Sequence, residues 1–253
     1  MSDIEALRRP AVVFCDFDGT ITVEDVIVAV WKRFGRPGWR ETMEAILARR
    51  LSLKEGVARV FGDIPSAERQ DIIDYTKGVV RFRDGFREFL VFCKEQRIDF
   101  VVASGGIDFF VAPIMAPFAP YITRMYTIPA DFSGETIRLR RPYGCETCGL
   151  CKAEVMAEFP NTYRILIGDS LTDFHGAEHA DVTLLYEVEE RERFAGELFS
   201  NGNHQPQVSQ CQFIFSLFIA MLDFFSQLLF FLGRQKTGLP YFPQIHLDRV
   251  NLG

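Results

Sequence analysis

Three short apolar runs, far apart in the chain, each stop at a polar residue. Ala11-Val12-Val13-Phe14-Cys15 stops at Asp16, and Asp99-Phe100-Val101-Val102-Ala103 stops at Ser104-Gly105-Gly106. Tyr163-Arg164-Ile165-Leu166-Ile167 stops at Gly168-Asp169-Ser170. A fourth run covers 182–185. Runs this short and this apolar suit strands buried on both faces. Their separation by helical patterns predicts an α/β fold with a parallel sheet. Ligands of such sheets bind beyond the carboxyl ends of the strands, so the three polar tips should converge.

The stretch between the first two runs reads as wholly helical. Thr22-Val23-Glu24-Asp25 resembles a capping box opening a helix to Phe34, and Gly35-Arg36-Pro37-Gly38 breaks it. A helix is expected over 39–50, a second capping box at Ser52-Leu53-Lys54-Glu55 with a helix to Gly62, and further helices opening at Pro65 and Asp84. An all-helical insert after the first strand is more than a crossover, and it predicts a lid. The expected division is a core of 1–21 and 84–199, a cap of 22–83 and a tail of 200–253. Further helix is expected over 107–115, and a β-hairpin with arms 126–131 and 136–140.

Asp18, Asp173, Lys152, Gly105 and Gly106 surround the three tips. Crowded carboxylates repel unless a cation holds them, and oxygen-only donors favour Mg²⁺, which commonly also binds a substrate phosphate. Gly105-Gly106 at a strand-to-helix turn would offer N–H groups to an anion. A carboxylate nucleophile, a Mg²⁺, an anion cradle and a lysine suggest phosphoryl transfer through an aspartyl-phosphate.

Asp16-Phe17-Asp18-Gly19-Thr20 resembles the first motif of the haloacid dehalogenase superfamily. Ser104-Gly105, Lys152 and Gly168-Asp169-Ser170-Leu171-Thr172-Asp173 match its other three motifs in order. The insert matches the lid position of the phosphoserine-phosphatase-like branch. Leu51-Ser52-Leu53-Lys54-Glu55-Gly56-Val57 and Ser104-Gly105-Gly106-Ile107-Asp108-Phe109-Phe110-Val111 narrow the resemblance to phosphatases of a methionine-salvage enol phosphate.

The resemblance implies a Rossmann-like sheet with a helical cap after the first strand, Mg²⁺ as cofactor and a small phosphorylated metabolite as partner. It also implies roles. Asp16 attacks phosphorus and binds Mg²⁺; Asp18 is general acid and base, its carbonyl a metal ligand. Ser104 and the Gly105 amide hold phosphoryl oxygens, and Lys152 neutralises charge. Asp169 ligates the metal, and Asp173 supports the metal shell or Lys152. Asp25 stands where the branch has a substrate-contacting acid, and equally where a helix cap belongs. The alternatives are another small phosphomonoester, such as phosphoserine or pyridoxal phosphate, or a non-catalytic membrane-tethered protein on the same fold.

Cys145, Cys148 and Cys151 follow a Cys-x-x-Cys-x-x-Cys pattern. With Cys93 or His175 recruited they could hold Zn²⁺; otherwise they form a packed or redox-labile thiol cluster. His179, His204 and His246 read as surface residues. The 28 Lys and Arg against 34 Asp and Glu give a net charge of −6, which argues against nucleic acid as a partner. Met1 to Pro10 is charged and unlike a secretory leader, so a cytoplasmic location is expected. The sequence carries no reading of oligomeric state.

The tail differs in composition. Residues 213–232 are nearly continuously apolar, with seven Phe, and have the length of a membrane span. Fourteen Phe, Ile and Leu favour insertion by about 6 kcal/mol, and Asp223 at the centre returns about 3. Three readings stand: a membrane-associating segment, a helix packed on the domain, or a foreign insertion. Gly238-Leu239-Pro240-Tyr241-Phe242-Pro243 resembles a segment that follows the fourth motif more closely in the family, which makes 200–237 an interruption.

Overall fold

The computed structural model describes residues 9–140, 148–169 and 171–185. Their main sheet has five strands, all parallel: β1 (Ala11–Cys15), β2 (Asp99–Ile107), β3 (Arg124–Ile128), β6 (Tyr163–Gly168) and β7 (Val182–Leu185). The spatial order is β3-β2-β1-β6-β7, which puts β1 at the centre. Both faces of β1 are covered. Val12 and Phe14 pack with Val101, Ala103, Tyr126, Leu150, Val155, Met156 and Leu166, while Val13 and Cys15 are buried on the opposite face. A central strand has no solvent face, which explains an apolar run without alternation. Phe159 meets Phe14 edge-on at 5.2 Å between ring centroids.

Register brings the strand tips together. Cys15 pairs with Val102 of β2 and Ile167 of β6. One residue on, Asp16 stands level with Ala103 and Gly168, so Ser104 and Asp169 follow immediately on either side. The Asp16 N–H donates to the Ile167 carbonyl at 2.9 Å, extending the ladder one residue beyond β1.

Four helices follow β1 within the insert of 22–83: α1 (Val26–Phe34), α2 (Trp39–Leu47), α3 (Leu53–Gly62) and α4 (Arg69–Val79). Both chain passages into this insert run side by side. Thr22 and Phe82 form an antiparallel bridge, Val23 N–H donates to Arg81 O, and Arg83 N–H donates to Ile21 O, each at 3.0 Å. The Ser52–Glu55 capping box forms as the sequence predicts. The one at Thr22 does not. The Thr22 hydroxyl is engaged with Phe17 O, Glu24 O and Gly19 N–H, so Asp25 becomes the N-cap of α1, accepting from Val28 N–H at 3.0 Å. The helix expected over 39–50 ends at Leu47, and Arg49 takes a positive φ of 55°.

Beyond the insert come α5 (Phe86–Glu95), α6 (Asp108–Met115), α7 (Lys152–Ala157) and α8 (Leu171–Ala177). Two further expectations are corrected. The 126–131 arm is divided, because Tyr126 to Ile128 belong to β3 of the main sheet. The hairpin is only β4 (Ala130–Asp131) against β5 (Arg138–Leu139). And β2 does not end before Ser104. Ala103 pairs with Tyr126 and Ile107 with Ile128, so four steps on β2 face two on β3. Ser104-Gly105-Gly106 is a bulge within the strand, a device that re-aims side chains beside sites.

The tail from 200 onward, and with it the three readings of 213–232, lies outside the described residues, as do Cys145 and Ser170. Among the described residues no helix is long and apolar enough to cross a membrane. Since Phe14 is fully buried at the sheet centre, Phe14→Ala should cost about 3–5 kcal/mol of unfolding free energy in urea titration. A loss below about 1 kcal/mol would show that the β1 core is not packed this way.

Candidate active site

The turn after β1 arranges its own carboxylates. Gly19 adopts φ 75°, a left-handed conformation that glycine takes without a Cβ penalty. At the start of the turn Phe17 N–H donates to Asp16 Oδ1 at 2.7 Å. The two acids then diverge. Asp16 Oδ2 lies 2.9 Å from Lys152 Nζ. Asp18 Oδ1 accepts from Val26 N–H, the first residue of α1, at 2.8 Å. Its Oδ2 lies 3.2 Å from where a Cβ on Gly106 would stand, so it faces the β2 bulge.

Lys152 opens α7 and is buried, as are Asp16, Asp169 and Asp173. Its ammonium bridges Asp16 and Asp173. Asp173, on the first turn of α8, also accepts from Asp169 N–H through Oδ2 at 3.1 Å. Asp169 Oδ1 in turn accepts from the Thr20 hydroxyl at 3.0 Å. Burial pushes the Asp16 carboxyl up; Lys152 pulls it down and Asp173 pushes it up again, and the net direction is upward. Burial alone would lower Lys152, but the two carboxylates hold it above the ordinary range and therefore charged.

Carboxylate oxygens of Asp16, Asp169 and Asp173 lie within 4.8 Å of one another. Lys152 sets one positive charge against two of these three buried acids, and buried carboxylates are costly unless cations hold them. An all-oxygen donor set this tight fits a hard divalent cation. Both Asp173 oxygens are engaged, one with Lys152 and one with Asp169 N–H, and Asp173 thereby braces the lysine and the tip of β6. The Asp18 carboxylate is not in this cluster.

On the other side of β1, Ser104 is fully buried and its Oγ accepts from Gly106 N–H at 2.9 Å. The Gly106 amide is thus held by Ser104, contrary to the expectation that both glycine amides face an anion. A Cβ on Gly105 would meet no atom within 4 Å, so the bulge is open on that side. Asp25 caps α1 and is not joined to the buried cluster by any of these bonds. Two residues that shape the site, Thr20 and Gly168, carry no chemistry that singles them out in the sequence. Thr20 was visible only as the last letter of a motif, with nothing to couple it to a residue on a distant strand.

The fold and the site define a hydrolase with an aspartate at the tip of its central strand. The haloacid dehalogenase-like hydrolase model matches residues 13–178, and the chain belongs to that family. It is an enzyme of the phosphatase class. Over 185 residues it is 43% identical to the 2-hydroxy-3-keto-5-methylthiopentenyl-1-phosphate phosphatase of Brevibacillus brevis, covering 70% of this chain and 83% of that one. The protein of the same name from Geobacillus thermodenitrificans is 42% identical, with 70% and 84% covered. Among solved structures, a phosphoserine phosphatase from T. onnurineus superposes with a TM-score of 0.56 at 20% identity, covering 77% of this chain and 97% of that one. An apo phosphoserine phosphatase gives 0.55 at 16% identity, with 70% and 86% covered. These two likenesses establish the fold alone.

Gly168 provides a test of the Lys152–Asp173 pairing. A Cβ there would stand 2.3 Å from Asp173 Cγ. Gly168→Ala should displace that carboxylate, with it Lys152, and lower kcat for an aryl phosphate by roughly a hundredfold while far-ultraviolet dichroism is retained. A change within about twofold would mean that the pairing does not position the site.

Proposed function

We propose that the chain is a Mg²⁺-dependent phosphomonoester hydrolase that works through an aspartyl-phosphate on Asp16. The observation that carries this reading is the Asp16–Lys152–Asp173 bridge, built beside a third buried carboxylate at the tip of the central strand. Asp16 and Asp169, with the main-chain carbonyl of Asp18, would hold Mg²⁺, which when bound offsets phosphoryl charge. Asp173 keeps Lys152 and Asp169 in place.

In the first half-reaction an Asp16 oxygen attacks phosphorus and the bond to the ester oxygen breaks. Asp18 gives that leaving oxygen its proton. In the second half-reaction the Asp18 carboxylate takes a proton from water, whose oxygen attacks the same phosphorus. Phosphate departs and the Asp16 carboxylate is regenerated. The atoms and charges balance, and Asp18 ends each turnover protonated as it began. Ser104 and the Gly105 amide bind phosphoryl oxygens, and Lys152 offsets their charge. Such transfers depend mainly on positioning and charge stabilisation. The uncatalysed reaction is among the slowest known, so roughly 20 kcal/mol of barrier lowering is required.

The substrate we propose is 2-hydroxy-3-keto-5-methylthiopentenyl-1-phosphate, supported by relatives of that name at 42–43% identity. The insert of 22–83 serves as a lid that closes over it and excludes water. The paired passages at Thr22–Phe82 support this, because a short two-stranded neck concentrates any bending at its ends.

Asp16→Asn should lower Mg²⁺-dependent phosphate release by at least roughly a thousandfold, since loss of a nucleophile is among the costliest active-site changes. Retained activity would overturn the aspartyl-phosphate. Chelation should abolish turnover and Mg²⁺ restore it. In a phosphomonoester panel the enol phosphate should show the highest kcat/KM; a higher value for phosphoserine or pyridoxal phosphate would reassign the substrate.

A further inference from the structure

A second cluster of metal-ligating groups lies behind the active-site lysine. Cys148 and Cys151 are buried and His175 is exposed. The Cys148 Sγ is 3.6 Å, and the Cys151 Sγ 3.7 Å, from the same Nδ1 of His175. All three donor atoms lie within 4.8 Å of one another. Cys93, the other candidate partner for these thiols, is instead felt by Cys15, and burial pushes its own thiol up to about 12.

These separations have a simple meaning. Zinc–sulfur bonds of about 2.3 Å and zinc–nitrogen bonds of about 2.0 Å, at tetrahedral angles, put sulfur and nitrogen roughly 3.5 Å apart. Hydrogen bonding alone accounts for the pattern less well, because Nδ1 has one in-plane lone pair and two thiols approach it at nearly equal distance. A cation shared by all three produces the near equality directly. Thiolate and imidazole are soft and borderline donors that select zinc over the hard cations suited to the carboxylate cluster. The Cys-x-x-Cys step is the ordinary spacing for two ligands from one turn.

We propose that Cys148, Cys151 and His175 form a zinc site that ties the start of α7 to α8. The fourth tetrahedral position is left to a donor outside these three. On binding, each thiol gives its proton to solvent, so the two thiolates balance the ion and the site is neutral. The position of the site gives it a purpose. Cys151 is the residue before Lys152, and His175 follows Asp173 by two residues on α8. The two helices also approach closely at Gly176, where a Cβ would stand 3.0 Å from Lys152 Cβ. Zinc would therefore hold together the two helices whose first turns carry the Lys152–Asp173 ion pair, as a positioning device and not as part of the chemistry.

The test uses the full chain, purified under reducing conditions, equilibrated with Zn²⁺ and exchanged into zinc-free buffer with excess Mg²⁺ to occupy the oxygen cluster. Elemental analysis should find about one zinc per chain, and Co²⁺ replacement should give a thiolate-to-cobalt charge-transfer band in the near ultraviolet. Cys148→Ser with Cys151→Ser should remove both. His175→Gln, at an exposed position that the fold tolerates, should lower zinc occupancy and abolish the rise in Tm that Zn²⁺ gives the unaltered chain. Zinc content at the buffer blank, absence of the cobalt band, or undiminished zinc in the double cysteine variant would each overturn the site. None of these readouts requires turnover, so their failure is separate from failure of the phosphatase reading.

Discussion

The buried ammonium of Lys152, lying between Asp16 and Asp173, is the interaction on which the arrangement of the site rests. Three charged groups are taken out of water together, and such groups persist only when each meets its partners. Lys152 holds the Asp16 side chain from one side, while the Phe17 amide holds it from the other. Asp173 carries the constraint further, through Asp169 N–H, to the tip of β6. Breaking one contact would leave a buried charge without compensation, so the groups stand or fall together.

The sheet makes this economy possible. A parallel ladder puts all carboxyl ends on one side, and the β1 register aligns Asp16 between Ala103 and Gly168. The bulge in β2 then turns Ser104 and the glycines out of the ladder, toward the side where Asp18 points. Oxygen donors and sulfur donors are sorted to different places. The carboxylates gather at the strand tips, and the thiols sit with His175 where the start of α7 meets α8. Hard and soft cations would thus have separate addresses only a few residues apart in sequence.

Much of this was legible in the residues. The apolar runs mark buried strands because a central parallel strand has no wet face, and the Ser52–Glu55 box marks a helix start because its bonds are local. The errors occurred where a local signal met a competing partner. Thr22 looks like a cap, yet its hydroxyl is taken up by the Asp16–Thr20 turn, and the cap passes to Asp25. Ser104-Gly105-Gly106 looks like the end of a strand, yet Ile107 finds Ile128 and the strand resumes. Tyr126 looks like part of a hairpin, yet the edge of the main sheet claims it.

Residue order alone therefore carried the fold class, the family and the acids at the strand tips, since these depend on short-range pattern and on motif chemistry. The folded chain settled which groups touch. Thr20 reaches Asp169, Asp173 chooses Lys152 over open solvent, and His175 joins two cysteines that precede a neighbouring helix. Contacts between residues 20 to 150 positions apart follow from strand register and helix packing, and no local pattern encodes them.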